Sequence, residues 1–196
     1  EMCIRDSFMG GTAECCPYLA PFSTVDRLDF SNDTDNMVTK ASLTETKTTR
    51  GYSSLTHGYA AGGWNPAVGN PGKVSTIDRI DYASDTTAQT TKGPLEFAVA
   101  SNQVGVHNTD YGYTLGGGTP SYVSYNQRPE FANDTATTSP KGNLSTGTGW
   151  GAGAGNQSYG YYSGGSTPSK VSTVQRLDYS SAVSYTHLRA HETTLD

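Results

Sequence analysis

The sequence predicts an all-β chain in which one unit recurs about every 50 residues. Three observations carry that expectation. Arg27, Arg79, Arg128 and Arg176 lie 52, 49 and 48 residues apart. A Gly-Gly pair precedes each, as Gly10-Gly11, Gly62-Gly63, Gly116-Gly117 and Gly164-Gly165. The composition suits short strands and tight turns: 23 Gly, 13 Tyr, abundant Thr, Ser and Asn, and 16% charged residues, against roughly 25% in ordinary domains. Hydrophobic residues make up only 34%, but regular apolar alternation argues against disorder.

The unit reads as four strands, most clearly in the last copy. Small residues at 147–154 give a first strand, and Asn156-Gln157-Ser158 the turn after it. Residues 159–162 are a second strand that runs into Gly164-Gly165, where glycine permits a sharp turn and close packing. A loop containing Pro168 leads to a third strand from Lys170 to Tyr179. Its alternation puts Val171, Thr173, Gln175, Leu177 and Tyr179 on one face, and Ser172, Val174, Arg176 and Asp178 on the other. Earlier copies supply a fourth strand, such as Ala136 to Lys141, after an Asn-Asp-Thr turn.

The framing text recurs with the arginines. Residues 23–30 (STVDRLDF) match 75–82 (STIDRIDY) and 172–179 (STVQRLDY), while 124–131 (SYNQRPEF) has drifted. Asp-Thr follows in three copies, at Asp33-Thr34, Asp85-Thr86 and Asp134-Thr135. From the second Gly (Gly11, Gly63, Gly117, Gly165) to the Arg is 16, 16, 11 and 11 residues, so the first two copies carry five extra residues in one loop.

Four short strands per unit of this length predict a β-propeller with four-stranded antiparallel blades, here a partial one of about three and a half blades. The repeats are expected at about 8–46, 47–97, 98–145 and 146–182. Residues 1–7 and 183–196 fit no repeat. Both resemble translated sequencing-adapter DNA, so 8–182 is the expected natural segment.

Charge and cysteine content exclude several classes. A net charge of −5 with no basic run lacks the electrostatic footprint of nucleic-acid binding. No apolar run of about 18 residues exists to span a membrane. Cys3, Cys15 and Cys16 give no disulfide framework and no Cys-x-x-Cys metal pair.

Each candidate site has a structural explanation beside the chemical one. The repeated Arg has an acid two residues on: Arg27/Asp29, Arg79/Asp81, Arg128/Glu130 and Arg176/Asp178. Charges repeated in every unit are expected to bridge strands or blades rather than to catalyse. Pro129 inside the third pair predicts a local bulge. The turns at Asn32 and Asn133 look like glycosylation sequons, as do Asn143-Leu144-Ser145 and Asn156-Gln157-Ser158, but Asx-turns explain the first two. Asp33 and Asp35 are too few oxygens for calcium. The glycine-rich run 147–155 matches neither phosphate-loop pattern. His57 and His107 stand near the turn between first and second strands. His187 and His191 have helical zinc-ligand spacing, but Glu192 is misplaced for His-Glu-x-x-His. No Gly-x-Ser-x-Gly elbow is present. No metal or cofactor is expected. The loops after Gly-Gly are the expected binding surface, because loops that vary on a rigid scaffold usually carry recognition. Tyr18, Trp64, Asn65, Asn70 and Tyr122 are the candidates, an aromatic and amide set suited to a carbohydrate or protein surface. The alternative is a tolerated surface insertion.

Second strands ending in Gly-Gly, followed by a third strand with adjacent Asp and Tyr, resemble the Kelch repeat. The order here is Asp81-Tyr82 and Asp178-Tyr179, the reverse of the family's, and Asp-Thr replaces the family's Trp. The resemblance covers nearly all of 8–182. The Gly-Tyr, Gly-Gly and Val-Ser-Thr-Val-x-Arg-Leu-Asp-Tyr pattern is similar to Kelch-like repeats of marine bacteriophage structural proteins. That implies a non-enzymatic virion or tail-fibre component, in a virion or extracellular setting, recognising a glycan or protein. The other Kelch types imply a secreted copper oxidase, needing Tyr, Cys and His ligands, or a protein-interaction adaptor.

Overall fold

The structure is a computed structural model that describes residues 5–15, 18–32, 34–70, 72–100, 102–118, 121–181 and 185–188. These residues form an all-β chain of four successive antiparallel sheets and one small ribbon. Sheet 1 contains β1 (Arg5–Cys15), β2 (Tyr18–Asp29) and β3 (Val38–Thr39). Sheet 2 contains β4 (Thr48–Ser53), β5 (His57–Trp64), β6 (Lys73–Asp81) and β7 (Thr90–Lys92). Sheet 3 contains β8 (Val104–His107), β9 (Gly112–Leu115), β10 (Asn126–Arg128) and β11 (Ser139–Pro140). Sheet 4 contains β12 (Ala152–Gly155), β13 (Tyr159–Ser163), β16 (Val174–Asp178) and β17 (Tyr185–Leu188). The ribbon pairs β14 (Ser166–Thr167) with β15 (Ser169–Lys170). Each of sheets 2 to 4 is a meander whose strands pair in chain order.

Neighbouring sheets pack face to face and bury one apolar cluster in each gap. Val25, Leu43, Ala60 and Ile80 fill the first, with Tyr82 against them. Tyr52, Tyr59, Ala61, Ile77, Leu95 and Val99 fill the second, where Phe131 also packs. The third holds Val104, Val106, Tyr113, Leu115, Leu144, Tyr162, Leu177 and Tyr179. Each link between sheets contributes a leucine: Leu43, Leu95 or Leu144. Their N–H groups donate to the carbonyls of Ser23, Ser75 and Ser124 at 2.7, 2.8 and 2.8 Å. The same sequence position therefore fixes each link to the third strand of the sheet it leaves or, in sheet 3, to the residues just before it.

Burial along the third strands follows from this stacking. In β6 both Ile77 and the opposite-facing Asp78 and Ile80 are buried, because sheet 2 is covered on both sides. In β16 Gln175 and Leu177, and Tyr179 just beyond it, are buried, while Val174, Arg176 and Asp178 are only partly covered. That is the alternation expected of an end sheet with one face packed.

The first strands approach one another closely, β4 against β8 and β8 against β12. Glycine allows this, since a Cβ on Gly105 would overlap the carbonyl of Gly51 and one on Gly153 would overlap Val104. At the other end of the second strands, Gly62-Gly63, Gly116-Gly117 and Gly164-Gly165 all have positive φ, between 56° and 126°. Side-chain-bearing residues rarely adopt that backbone.

Several boundaries differ from the sequence expectation. The first strand of sheet 4 spans 152–155 rather than 147–154, because Gly149 bridges to Ser166 and Trp150 takes φ 63°. The predicted third strand is divided into β15 and β16. The fourth strand of sheet 3 is only Ser139–Pro140. Strand β10 stops at Arg128, before Pro129, whose carbonyl accepts from Gly112 N–H at 3.2 Å. Arg5 to Ser7 lie in β1, and residues 185–188 form β17 against β16.

Candidate functional site

The repeated charges build a joint between sheets. Arg27 on sheet 1 donates from Nη1 to Oδ2 of Asp85, and Lys40 lies 3.8 Å from the other oxygen. Arg79 on sheet 2 makes the same contact with Asp134 at 2.7 Å, with Lys92 3.7 Å from its second oxygen. Each Arg stands on a third strand, and each Lys follows it by 13 residues. Each Asp stands six residues after the Arg of the next repeat and directly follows a single 3₁₀ turn, Tyr82–Ser84 or Phe131–Asn133. The carboxylate thus comes from the Asp-Thr dipeptide of the following repeat, not from the acid two residues on.

In three of the four repeats that nearer acid works within its own turn, and Glu130 makes no such cap contact. Asp29 Oδ1 accepts from the N–H of Ser31 at 3.0 Å, Asp81 Oδ1 from Ala83 at 2.9 Å, and Asp178 Oδ1 from Ser180 at 3.0 Å. The Ser180 hydroxyl and N–H hold the Asp178 carboxyl below the usual carboxylate range.

An aromatic pair sits beside the Arg79–Asp134 contact and at the equivalent place in the next gap. Tyr59 stacks on Phe131 of the next sheet with centroids 5.1 Å apart, and its hydroxyl donates to Asp134 at 3.3 Å. Burial, then the Asp134 charge, pushes the Tyr59 phenol up to about 12. Tyr113 stacks on Tyr179 at 4.7 Å in the next gap. There Arg128 lies over the Tyr111 ring at 4.0 Å, and no carboxylate pairs with it among the described residues. Burial and the neighbouring Arg128 lower the Lys141 ammonium pKa. Arg176 lies over Tyr159 at 4.6 Å.

The first gap also holds a buried charge cluster. Lys47 is fully buried, with Asp78 at 3.3 Å and Glu45 at 3.7 Å. Its Nζ donates to the Thr76 carbonyl and hydroxyl at 3.1 and 3.0 Å. Burial lowers the Lys47 pKa despite both carboxylates. Glu45 also accepts from the Thr76 hydroxyl and, at 2.8 Å, from Asn65 Nδ2.

The loops after Gly-Gly take different forms in sheets 1, 2 and 4. In sheet 1 the extra residues lengthen the β1–β2 hairpin, so Tyr18 opens β2 opposite Cys15 instead of lying in an open loop. In sheet 2 they form a 3₁₀ turn, Pro66–Val68. Asn65 is buried there, its Oδ1 accepting from Ala67 N–H at 2.9 Å while its amide nitrogen serves Glu45. Trp64 is half-buried against Gly72, and Asn70 is exposed. Tyr122 is half-buried, its ring against Gly149. In sheet 4 the loop carries the β14–β15 ribbon.

The remaining candidates are separate from these features. Burial and then Arg79 lower the pKa of His57, whose Nδ1 lies 2.8 Å from the Thr56 hydroxyl. His107 ends β8. His187 is in a strand, so helical spacing does not describe its neighbourhood; His191 and Glu192 lie outside the described residues, as do Cys3, Cys16 and Asp33. Asp35 accepts from Asn32 Nδ2 at 2.5 Å. The Asn32 and Asn133 side-chain oxygens accept from the hydroxyls of Thr34 and Thr135 at 2.9 and 3.3 Å. Among the described residues no three His, Cys, Asp or Glu side chains converge as metal ligands, and no helix is long and apolar enough to cross a membrane. The residues that sequence reasoning missed are Lys40, Lys92 and Lys141, whose constant offset from Arg was the available signal, and Lys47, which recurs in no other repeat.

No protein-family model matches the chain, and none of the curated proteins matches it.

Proposed function

We propose that this chain is a non-enzymatic binding module, part of a Kelch-like β-propeller in which each four-stranded sheet is a blade. The successive approach of first strands β4, β8 and β12 supports a common axis along their line. The observation that carries the functional reading is the contrast between joint and loop. The Arg and aromatic positions of the joint recur from sheet to sheet, while the segment after Gly-Gly is a hairpin extension in sheet 1, a 3₁₀ turn in sheet 2 and a ribbon in sheet 4. A constant scaffold with divergent loops at one place in each blade is the arrangement of a recognition surface. Trp64, Asn70 and Tyr122 are its leading contacts, and its partner is a glycan or protein surface. The Kelch-like phage resemblance supports a virion or tail-fibre setting.

The test is binding to an immobilised glycan panel and to bacterial surface preparations, with Trp64→Ala and Tyr122→Ala beside the unaltered chain. Binding lost in both variants, with thermal unfolding little changed, is expected. Binding that survives both substitutions, or no binding to either panel, would overturn the reading.

A further inference from the structure

The charge cluster of the first gap holds an amine against a carboxyl in a place closed to water. The side chains of Lys47 and Asp78 have no exposed surface, and Lys47 Nζ lies 3.3 Å from Asp78 Oδ2. Val25, Leu43, Ala60 and Ile80 pack in the same gap. Lys47 stands just ahead of β4 and Asp78 lies on β6, with β5 between those two strands in the sheet.

The neighbours of the pair suit a reaction between them. Thr76 holds the lysine, accepting from Nζ at its carbonyl and hydroxyl, 3.1 and 3.0 Å away. Thr44 donates to Asp78, from its hydroxyl to Oδ1 and from its N–H to Oδ2 at 3.3 Å. Donors so placed stabilise negative charge developing on the carboxyl oxygens. A second carboxylate stands by: Glu45 Oε1 is 3.7 Å from Nζ, and Asn65 Nδ2 donates to Glu45 Oε2 at 2.8 Å. Burial lowers the Lys47 pKa, which favours the neutral amine, the nucleophilic form.

We propose that Lys47 and Asp78 condense to an intramolecular amide, with Glu45 relaying the proton. Nζ attacks Cγ of Asp78, a Cγ–Nζ bond forms, and a Cγ–Oδ bond breaks. Two of the three ammonium protons leave with that oxygen as water, one of them passed through Glu45, and the third stays on the amide nitrogen. An ammonium and a carboxylate become an amide and one water, so atoms and charge balance without an oxidant or co-reactant. Well-oriented groups in contact reach effective molarities of about 10⁵–10⁸ M, which favours the condensation. Closure of the gap to water protects the product, and a neutral amide replaces a buried ion pair that is costly to desolvate. Sheets 3 and 4 cannot form the bond, because Gln127 and Gln175 stand in the place of Asp78, and Val99 and Thr148 in the place of Lys47. The bond ties the link that enters sheet 2 to the third strand of that sheet. The inference goes beyond the binding-loop reading and does not depend on it.

The test is the intact mass of the full chain, taken from a preparation that unfolds cooperatively. A mass one water below that of the sequence is expected. Trypsin should then release residues 41–50 joined to residues 74–79, since an acylated Lys47 is no longer a cleavage site. Lys47→Met should have its full sequence mass. Glu45→Gln should lose its water more slowly than the unaltered chain after cell-free synthesis, by the factor of about 10²–10⁴ that a positioned acid–base group supplies. The mass of the unaltered chain decides the bond whether or not either variant folds. Full sequence mass in the folded chain, with cleavage after Lys47, would overturn the proposal. So would a water loss that persists in Lys47→Met, or one without the joined peptide. Bond formation in Glu45→Gln at the unaltered rate would overturn the relay.

Discussion

Replacing Asp134 by alanine removes the carboxylate that ties sheet 3 to sheet 2. Three groups lose a partner: Arg79 at 2.7 Å, Lys92 at 3.7 Å and the Tyr59 hydroxyl at 3.3 Å. The side chains of Arg79 and Asp134 are 27% and 10% exposed. The contact therefore lies between an exposed pair, worth at most about 1 kcal/mol, and a buried one, whose breaking costs about 3–5 kcal/mol. A charge-assisted hydrogen bond of about 1.5–3 kcal/mol falls in the same range. The expected loss is about 2–3 kcal/mol, or roughly 4–12 °C in Tm for a chain of this size. Urea unfolding measures it as a shift in midpoint at unchanged slope. The double variant Arg79→Met/Asp134→Leu should recover part of the loss, because the Arg79 charge is no longer left without its carboxylate, giving a coupling of about 1–2 kcal/mol. An Asp134→Ala loss within about 0.5 kcal/mol, the range of an ordinary surface change, would refute the joint as a source of stability.

Two further outcomes follow from the same contacts. Position 182 stands six residues after Arg176, where Asp85 and Asp134 stand relative to Arg79 and Arg128, but it is Ala182. Ala182→Asp should stabilise the chain by about 1 kcal/mol by supplying Arg128 and Lys141 with a carboxylate; urea unfolding in an Arg128→Met/Lys141→Met background checks this, and a gain that persists there would sink it. His57 should titrate below 6.5 by NMR, since burial and Arg79 lower its pKa more than Asp81 and Asp134 raise it. As pH falls through 6.5 the unfolded chain takes up this proton before the folded one, so the contribution of His57 to stability is lost on acidification. Arg79→Met should move the titration upward, and an unchanged His57 pKa in that variant would refute the assigned cause.

Much of the fold was legible because its signals are local. Gly-Gly and Arg recur about every 50 residues, and strand alternation is written over a few residues, as Gln175, Leu177 and Tyr179 show. The charge partners were not legible because they are separated by 55 and 58 residues, for Arg79–Asp134 and Arg27–Asp85. The acid two positions on shares a strand face with Arg, which made it the apparent partner, but the turn after the strand offers it N–H donors at closer range. Loop conformation was equally hidden. Five extra residues extend a hairpin in sheet 1 and curl into a 3₁₀ turn in sheet 2, where Asn65 next to Pro66 provides the cap. Asn65 looked available from sequence alone; Glu45, 20 residues earlier, engages its amide.

The buried lysine shows how one repeat position constrains another. In sheets 2 to 4 the residue before the Arg faces back toward the preceding sheet and receives the incoming link. Gln127 does this neutrally, accepting from Phe97 N–H at 2.7 Å and donating to its carbonyl at 3.0 Å. Gln175 accepts from the N–H and hydroxyl of Ser145, both at 2.9 Å. In sheet 2 the same position is Asp78, which accepts from Thr44 but brings a full charge into a completely buried place. An isolated buried carboxylate is costly, so a cation must accompany it. Lys47 fills that need four residues after Leu43, at the place where Val99 follows Leu95 and Thr148 follows Leu144. All three are buried, yet only the first is charged, and only the first faces an Asp. The lysine is therefore the counterpart of Asp78 rather than a catalytic group: where glutamine holds the link, a valine or threonine suffices.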